Sequence, residues 1–263
     1  MNKPTILKNK NYNESSIFLP ENLLREARRQ MEIPECDVPD ICVLDPDGDL
    51  AEYLKNNGKA RKNPCWACYH SYMYEFELNG KTVGILPCVV GASYATLVAE
   101  QLFVSGCELI ISITSAGILQ EPDVDKKFAL ITEALRDEGT SYHYLPPEEP
   151  AIIRKHLKEE LEKSSSGKAL PWLSVKSWTT DAPYRETESA MEAMKNEDVT
   201  CVEMEASALY SLARVKDYNI ICFAHLTNTM AQEEGDFEKG EHFGSLVTLD
   251  LLEKVLEAFG KDG

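Results

Sequence analysis

Leu109-Ile-Ile-Ser-Ile113 is a continuous apolar run that stops at Thr-Ser-Ala-Gly117. A strand with one wet face alternates apolar and polar residues. An unbroken run reads instead as a strand buried on both faces, here ending in a tight turn. The rest of the chain mixes strands and helices around such a core. Strands are expected at Ile41–Leu44, Ser71–Leu78, Lys81–Val90, Phe128–Leu135, Val175–Thr180, Val199–Val202 and Asn219–Ala224. Helices are expected at Glu21–Met31, Ser93–Phe103, Glu148–Lys163, Glu205–Val215 and Ser245–Phe259. Asn79-Gly80 between two of the strands is a hairpin signal. No repeat of fixed period occurs, and the linker-like Ser164–Lys168 is too short to separate domains. The pattern predicts a single α/β domain over residues 41–263, preceded by a polar segment, residues 1–40.

Charge narrows the partners. Twenty-seven Lys and Arg against 44 Asp and Glu leave a formal net charge of −17. Nucleic acid polymers bind through Lys and Arg, so they are poor partners, and anionic membrane surfaces are disfavoured for the same reason. A small phosphate still fits, because a pocket of backbone N–H groups needs no net positive protein. No stretch reaches the roughly 18–20 apolar residues of a membrane span, and no apolar run follows Met1 as in a secretory signal. The eight cysteines are scattered, mostly within apolar runs (Cys42, Cys88, Cys107, Cys201, Cys222), as reduced core thiols would be. A cytoplasmic setting is expected.

Two local motifs carry little. Cys65-Trp-Ala-Cys68 has the spacing of a zinc or redox pair, but no second pair follows and the segment runs into an aromatic-rich strand; packing is the better account. Asp45-Pro-Asp-Gly-Asp49 opens like a calcium loop, yet its glycine falls at position four and Asn56 stands where a bidentate Glu is needed. It reads either as an Asx-rich turn after a strand or as a polar loop at the mouth of a site. The five histidines form no metal-binding motif, and no P-loop, nucleophile elbow or dinucleotide fingerprint occurs. Neither a metal nor a cofactor is expected.

Four segments carry chemistry together. Gly91-Ala-Ser93 opens an amphipathic helix whose backbone N–H groups are a ready anion site, with Ser93 at the cap. Ser112-Ile-Thr-Ser-Ala-Gly117 ends a buried strand in hydroxyls and a glycine. Thr179-Thr-Asp-Ala-Pro-Tyr-Arg-Glu-Thr187 displays an aromatic ring and a guanidinium on a polar turn. Val202-Glu-Met-Glu-Ala206 brings two carboxylates and a thioether to a strand-to-helix junction. With Leu135-Arg-Asp-Glu-Gly-Thr-Ser-Tyr-His-Tyr-Leu-Pro146, these segments resemble the uridine phosphorylase-like branch of the nucleoside phosphorylase superfamily, from about residue 15 to residue 258.

The resemblance implies a three-layer α/β/α sandwich with a mixed, partly closed central sheet. It implies a cytoplasmic homodimer or homohexamer, with residues 1–40 packing on the core or on a partner subunit. The reaction implied is reversible cleavage of a nucleoside's N-glycosidic bond by phosphate, giving base and pentose 1-phosphate; phosphate is then a co-substrate. By the family pattern Glu205 binds the 2′- and 3′-hydroxyls, Met204 packs against the sugar and Glu203 sits on the base side. Tyr184 and Arg185 match the segment that contacts the base. Ser115 and Gly117 match the phosphate turn, and Gly91 and Ser93 lie where the glycine loop approaches the nucleophile.

The chain also departs from that pattern. Leu50 and Ser112 stand where the family places two phosphate-binding arginines, and Ser16-Ile-Phe-Leu19 has no histidine to reach a neighbour's 5′-hydroxyl. Two guanidiniums form a strong charge-assisted clamp, so their loss removes most of it unless Arg136 or Arg185 swings toward the anion. Asn228 stands where purine-cleaving relatives have an acidic aspartate; an amide can orient a base but cannot give up a proton. His225 is either a substitute acid or a strand-end histidine satisfied by the backbone. Three functions stay open: a phosphorylase with a rebuilt phosphate pocket, a nucleosidase using water, or a non-catalytic nucleoside-binding or storage protein.

Overall fold

The apolar run around Ile110 becomes the middle of a ten-stranded mixed sheet. In the computed structural model, which describes residues 4–122, 126–164, 170–229 and 234–259, the elements follow in chain order. They are α1 (Pro20–Met31), β1 (Ile41–Asp45), α2 (Asp49–Asn56), β2 (Ala60–Lys62), β3 (Tyr74–Leu78), β4 (Lys81–Pro87), α3 (Ala92–Val104) and β5 (Leu109–Ile118). Next come β6 (Phe128–Asp137), β7 (Ala151–Ile152), α4 (Lys155–Ser164), β8 (Trp172–Thr180), α5 (Glu188–Asn196), β9 (Cys201–Glu203), α6 (Ala206–Lys216), β10 (Asn219–Asn228) and α7 (Ser245–Ala258). Residues 165–168 of the Ser-rich stretch lie outside the described residues.

β5 is parallel to both β1 and β10, with Ile110 opposite Cys42 and Ile220. The order β10-β6-β8-β9-β5 closes on itself because β5 also pairs β10, while β1, β4, β3 and β2 extend outward from β5. The sheet is therefore partly closed. Helices α1, α3 and α6 form one packed group and α2, α4 and α7 the other, giving the three layers. β1, β4, β5 and β10 all run the same way, so their carboxyl ends lie side by side. In an open α/β sheet that edge is where ligands bind.

Two differences from the sequence reading have local causes. The helix expected from Glu148 starts only at Lys155, because Pro150, which has no N–H to donate, precedes β7, and β7 pairs with β6. The Asp-rich turn after β1 is also the start of an unforeseen helix, α2. Asp45 holds its first turn, accepting N–H bonds from Gly48 (3.2 Å) and Ala51 (2.9 Å).

The cysteines require a correction. Cys36 and Cys65 form a disulfide across 29 residues, so Cys65 is not a packing thiol, whereas Cys42, Cys68, Cys88, Cys107, Cys201 and Cys222 are free. The Arg28 guanidinium spans the bridge, donating to the carbonyls of Pro34, Cys36 and Cys65. Thiol titration of the denatured, unreduced protein is expected to find six of the eight cysteines. Cys36→Ser should cost about 3 kcal/mol in urea unfolding, the loop-closure entropy for such a span. Eight reactive thiols would remove the bridge.

Candidate active site

Glu205 stands at the junction of β9 and α6, buried to 2% exposure. One carboxyl oxygen accepts the Gly91 N–H at 2.7 Å, and the Met204 N–H lies 3.3 Å from the other. Gly91 precedes α3 with φ +91°, a backbone region that favours glycine. Its N–H is thereby aimed at the Glu205 carboxyl. Burial and then the neighbouring Glu203 charge push the Glu205 carboxyl up to about 8, so it is largely protonated near pH 7 until a positive charge stands beside it.

Glu203 does a different job from the one expected. Ser177 and Thr179 hydroxyls donate to one oxygen (3.0 and 2.5 Å), and the N–H groups of Glu205 and Ala206 donate to the other (2.7 Å each). Thr179 in turn accepts from the Ser207 N–H. Burial pushes the Glu203 carboxyl up while these four donors pull it back. It is a buried clamp on the start of α6, with both oxygens engaged.

The Ser115 turn holds an anion, and the anion belongs to the protein. The N–H and hydroxyl of Ser115 both donate to Asp47 Oδ2, at 3.1 and 2.6 Å. Lys239 Nζ lies 3.2 Å from that same oxygen and 2.6 Å from Asp49 Oδ2. Burial pulls Lys239 down, but Asp49 and Asp47 outweigh it and hold the ammonium above its usual range. Burial also pushes Asp45 up to about 7, with Asp47 and Asp49 adding to the rise against the bonds from Ala51 and Gly48. The space between Asp47, Asp49, Thr114, His225 and Lys239 is about 20 Å³.

Gly117 lies in the ladder between Asn228 and Val202. Ser93 is exposed and does not cap α3. The expected arginine positions are both interior: Leu50 packs in the core and Ser112 is buried between β1 and β10. Arg136 spends four of its five N–H groups within the chain. Its guanidinium donates to Ser141 Oγ and to the carbonyls of Leu145, Pro146 and Glu149, over the Tyr142 ring. It ties down the loop after β6.

His225 stacks on Phe128 at 4.6 Å and abuts Gly244, where a Cβ would fall 2.6 Å from the ring. Burial, then Lys239, push it down to about 4, so it is neutral near pH 7 and is no substitute acid. Asn228 is buried at the end of β10, its amide donating to Thr227 Oγ1. Met204 is half-buried beside Glu205. Tyr184 and Arg185 lie exposed in the short turn Pro183–Arg185, and among the described residues no hydrogen bond joins either side chain to the carboxylates.

Sequence reasoning missed Lys239, Thr114 and the role of Asp47. The Asp-rich loop after β1 was the only signal: Asp45 closes the turn through its own carboxylate, and Asp47 from the same loop reaches Ser115 and Lys239. Among the described residues no group of three His, Cys, Asp or Glu side chains could hold a metal, and no helix is long and apolar enough to cross a membrane.

A phosphorylase superfamily model matches residues 40–258. The chain is 23% identical over 236 residues to uridine phosphorylase of Thermococcus kodakarensis, covering 80% of this chain and 84% of that one. It is 25% identical over 138 residues to guanosine phosphorylase of Halorubrum lacusprofundi, covering 52% of this chain and 57% of the relative. Among solved structures, uridine phosphorylase from Vibrio fischeri superposes with a TM-score of 0.68 at 18% identity, over 86% of this chain and 93% of that one. Purine nucleoside phosphorylase from Toxoplasma gondii, in complex with immucillin-H, does so at 0.68 and 16% identity, over 85% and 90%.

Proposed function

The chain belongs to the phosphorylase superfamily, and from that premise we propose that it breaks the N-glycosidic bond of a nucleoside with phosphate as acceptor, yielding base and pentose 1-phosphate. The observation that carries this reading is Glu205. It is a buried carboxyl at the carboxyl edge of the sheet, beside half-buried Met204. Two adjacent sugar hydroxyls need a paired acceptor, and a carboxylate supplies it with charge-assisted bonds. The sugar becomes cationic as the bond breaks, and a dry, fixed carboxylate stabilises that charge more than it stabilises the ground state. Asn228 orients the leaving base through its amide, and the Pro183–Arg185 turn supplies the remaining base contacts. The relatives named above are phosphorylases, which supports phosphate as acceptor. The same reading makes the protein a homo-oligomer, dimer or hexamer, with exposed Ile17 and Phe18 on the N-terminal segment as the surface offered to a neighbour.

A second reading has one observation in its favour. The Gly91 and Ser115 N–H groups already face carboxylates, and the space beside Asp47 suits one water better than a phosphate. Water would then attack, with free pentose as product. The two readings separate in one assay over a nucleoside panel. Phosphorolysis is expected to give pentose 1-phosphate in a yield that rises with added phosphate. Free pentose, formed at a rate indifferent to phosphate, would replace the first reading with the second.

A further inference from the structure

Asp47 Oδ2 receives the Ser115 N–H, the Ser115 hydroxyl and the Lys239 ammonium at 3.1, 2.6 and 3.2 Å. Three converging donors on one oxygen are what a bound oxyanion would require. The three side chains differ in how they are held. Lys239 is only 10% exposed and keeps a second partner, Asp49, at 2.6 Å. Asp47 is 32% exposed and stands directly before Gly48, a residue at φ +80°. A carboxylate placed there can turn outward and be hydrated again, while Asp49 holds the ammonium where it is.

We infer that Lys239 is the cation that binds the phosphate acceptor in place of the two absent arginines, and that the Asp47 carboxylate is a built-in anion which phosphate displaces from the Ser115 turn. The inference rests on the reading of phosphate as acceptor. The pocket that Asp47 and Lys239 line, about 20 Å³, holds no phosphate while Asp47 keeps its place on Lys239, so the two anions exclude each other. Like charges at that distance would repel in any case. Occupancy by Asp47 keeps the Ser115 donors and Lys239 paired until an acceptor arrives, and it lowers apparent phosphate affinity by competing for the same donors.

Calorimetric titration of inorganic phosphate into the full-length protein tests this without reference to turnover. Asp47→Ala is expected to bind phosphate at least about tenfold more tightly than the unaltered chain. Lys239→Ala should bind at least about tenfold more weakly, the loss of one charge-assisted bond, and Lys239→Arg should stay near the unaltered value. Thermal melts of the variants separate lost binding from lost fold, and Lys239→Arg keeps the test open if Lys239→Ala unfolds. An Asp47→Ala affinity equal to or below that of the original overturns the latch, as does a folded Lys239→Ala with unchanged affinity. If Asp47→Ala instead loses turnover while phosphate affinity stays put, Asp47 acts on water and the inference falls. Failure of the acceptor reading shows elsewhere, as free pentose formed regardless of phosphate.

Discussion

Glu205→Gln is expected to lower kcat/KM for the best nucleoside by about a hundredfold or more, as loss of one strong transition-state contact does. An amide keeps the size and one acceptor oxygen but loses the charge that the developing sugar cation requires. Stability should move the other way. Glu205 is buried beside Glu203 and pushed above the ordinary carboxylate range by burial and by that neighbour, so a neutral side chain removes a repulsion from the folded state. The acid limb of the rate profile gives a second readout. Activity of the unaltered chain should fall as pH drops through an ionisation lying above the usual carboxylate range, and the residual rate of Glu205→Gln should lack that limb. A folded variant within a few-fold of the original would take Glu205 out of the sugar site.

The fold was legible because its determinants are local. The run at Leu109–Ile113 has no wet face, and the hairpin turn at Asn79-Gly80 joins β3 to β4 as expected. The closed ring also followed from the resemblance, though no local pattern announces the β5–β10 pairing that makes it. The site was harder, since its roles are set by partners distant in the chain. Glu203 and Glu205 look equivalent in sequence. Only their partners differ: the Ser177 and Thr179 hydroxyls, brought alongside by β8, hold Glu203, whereas the Gly91 and Met204 N–H groups hold Glu205. Arg136 reads as a free cation because the carbonyls that consume it are backbone groups, which leave no trace in a side-chain pattern. Lys239 lies 190 residues from Asp49 in a stretch with no periodicity. Cys36 escapes a reading by spacing, which favours Cys65 and Cys68, because the bridge depends on where the N-terminal segment lies.

The clamp gives the second large effect, on stability. Glu203→Ala leaves the N–H groups of Glu205 and Ala206 facing a void at the buried start of α6, and frees two buried hydroxyls. Hydroxyls can turn toward other acceptors; backbone amides cannot. Each orphaned amide costs roughly 1–3 kcal/mol, so the variant should lose about 2–6 kcal/mol in urea unfolding, a large share of an ordinary domain's 5–15. Glu203→Gln should lose less, because its remaining oxygen still accepts from the amides and its NH₂ can donate to a rotated Ser177 or Thr179 hydroxyl. The contrast between the carboxylates is the sharper test. Folded Glu203→Gln should retain kcat/KM within about tenfold, whereas Glu205→Gln keeps its stability and loses its rate. A Glu203→Gln that folds normally but selectively loses one class of base would return Glu203 to the base side, and the clamp would no longer account for its burial.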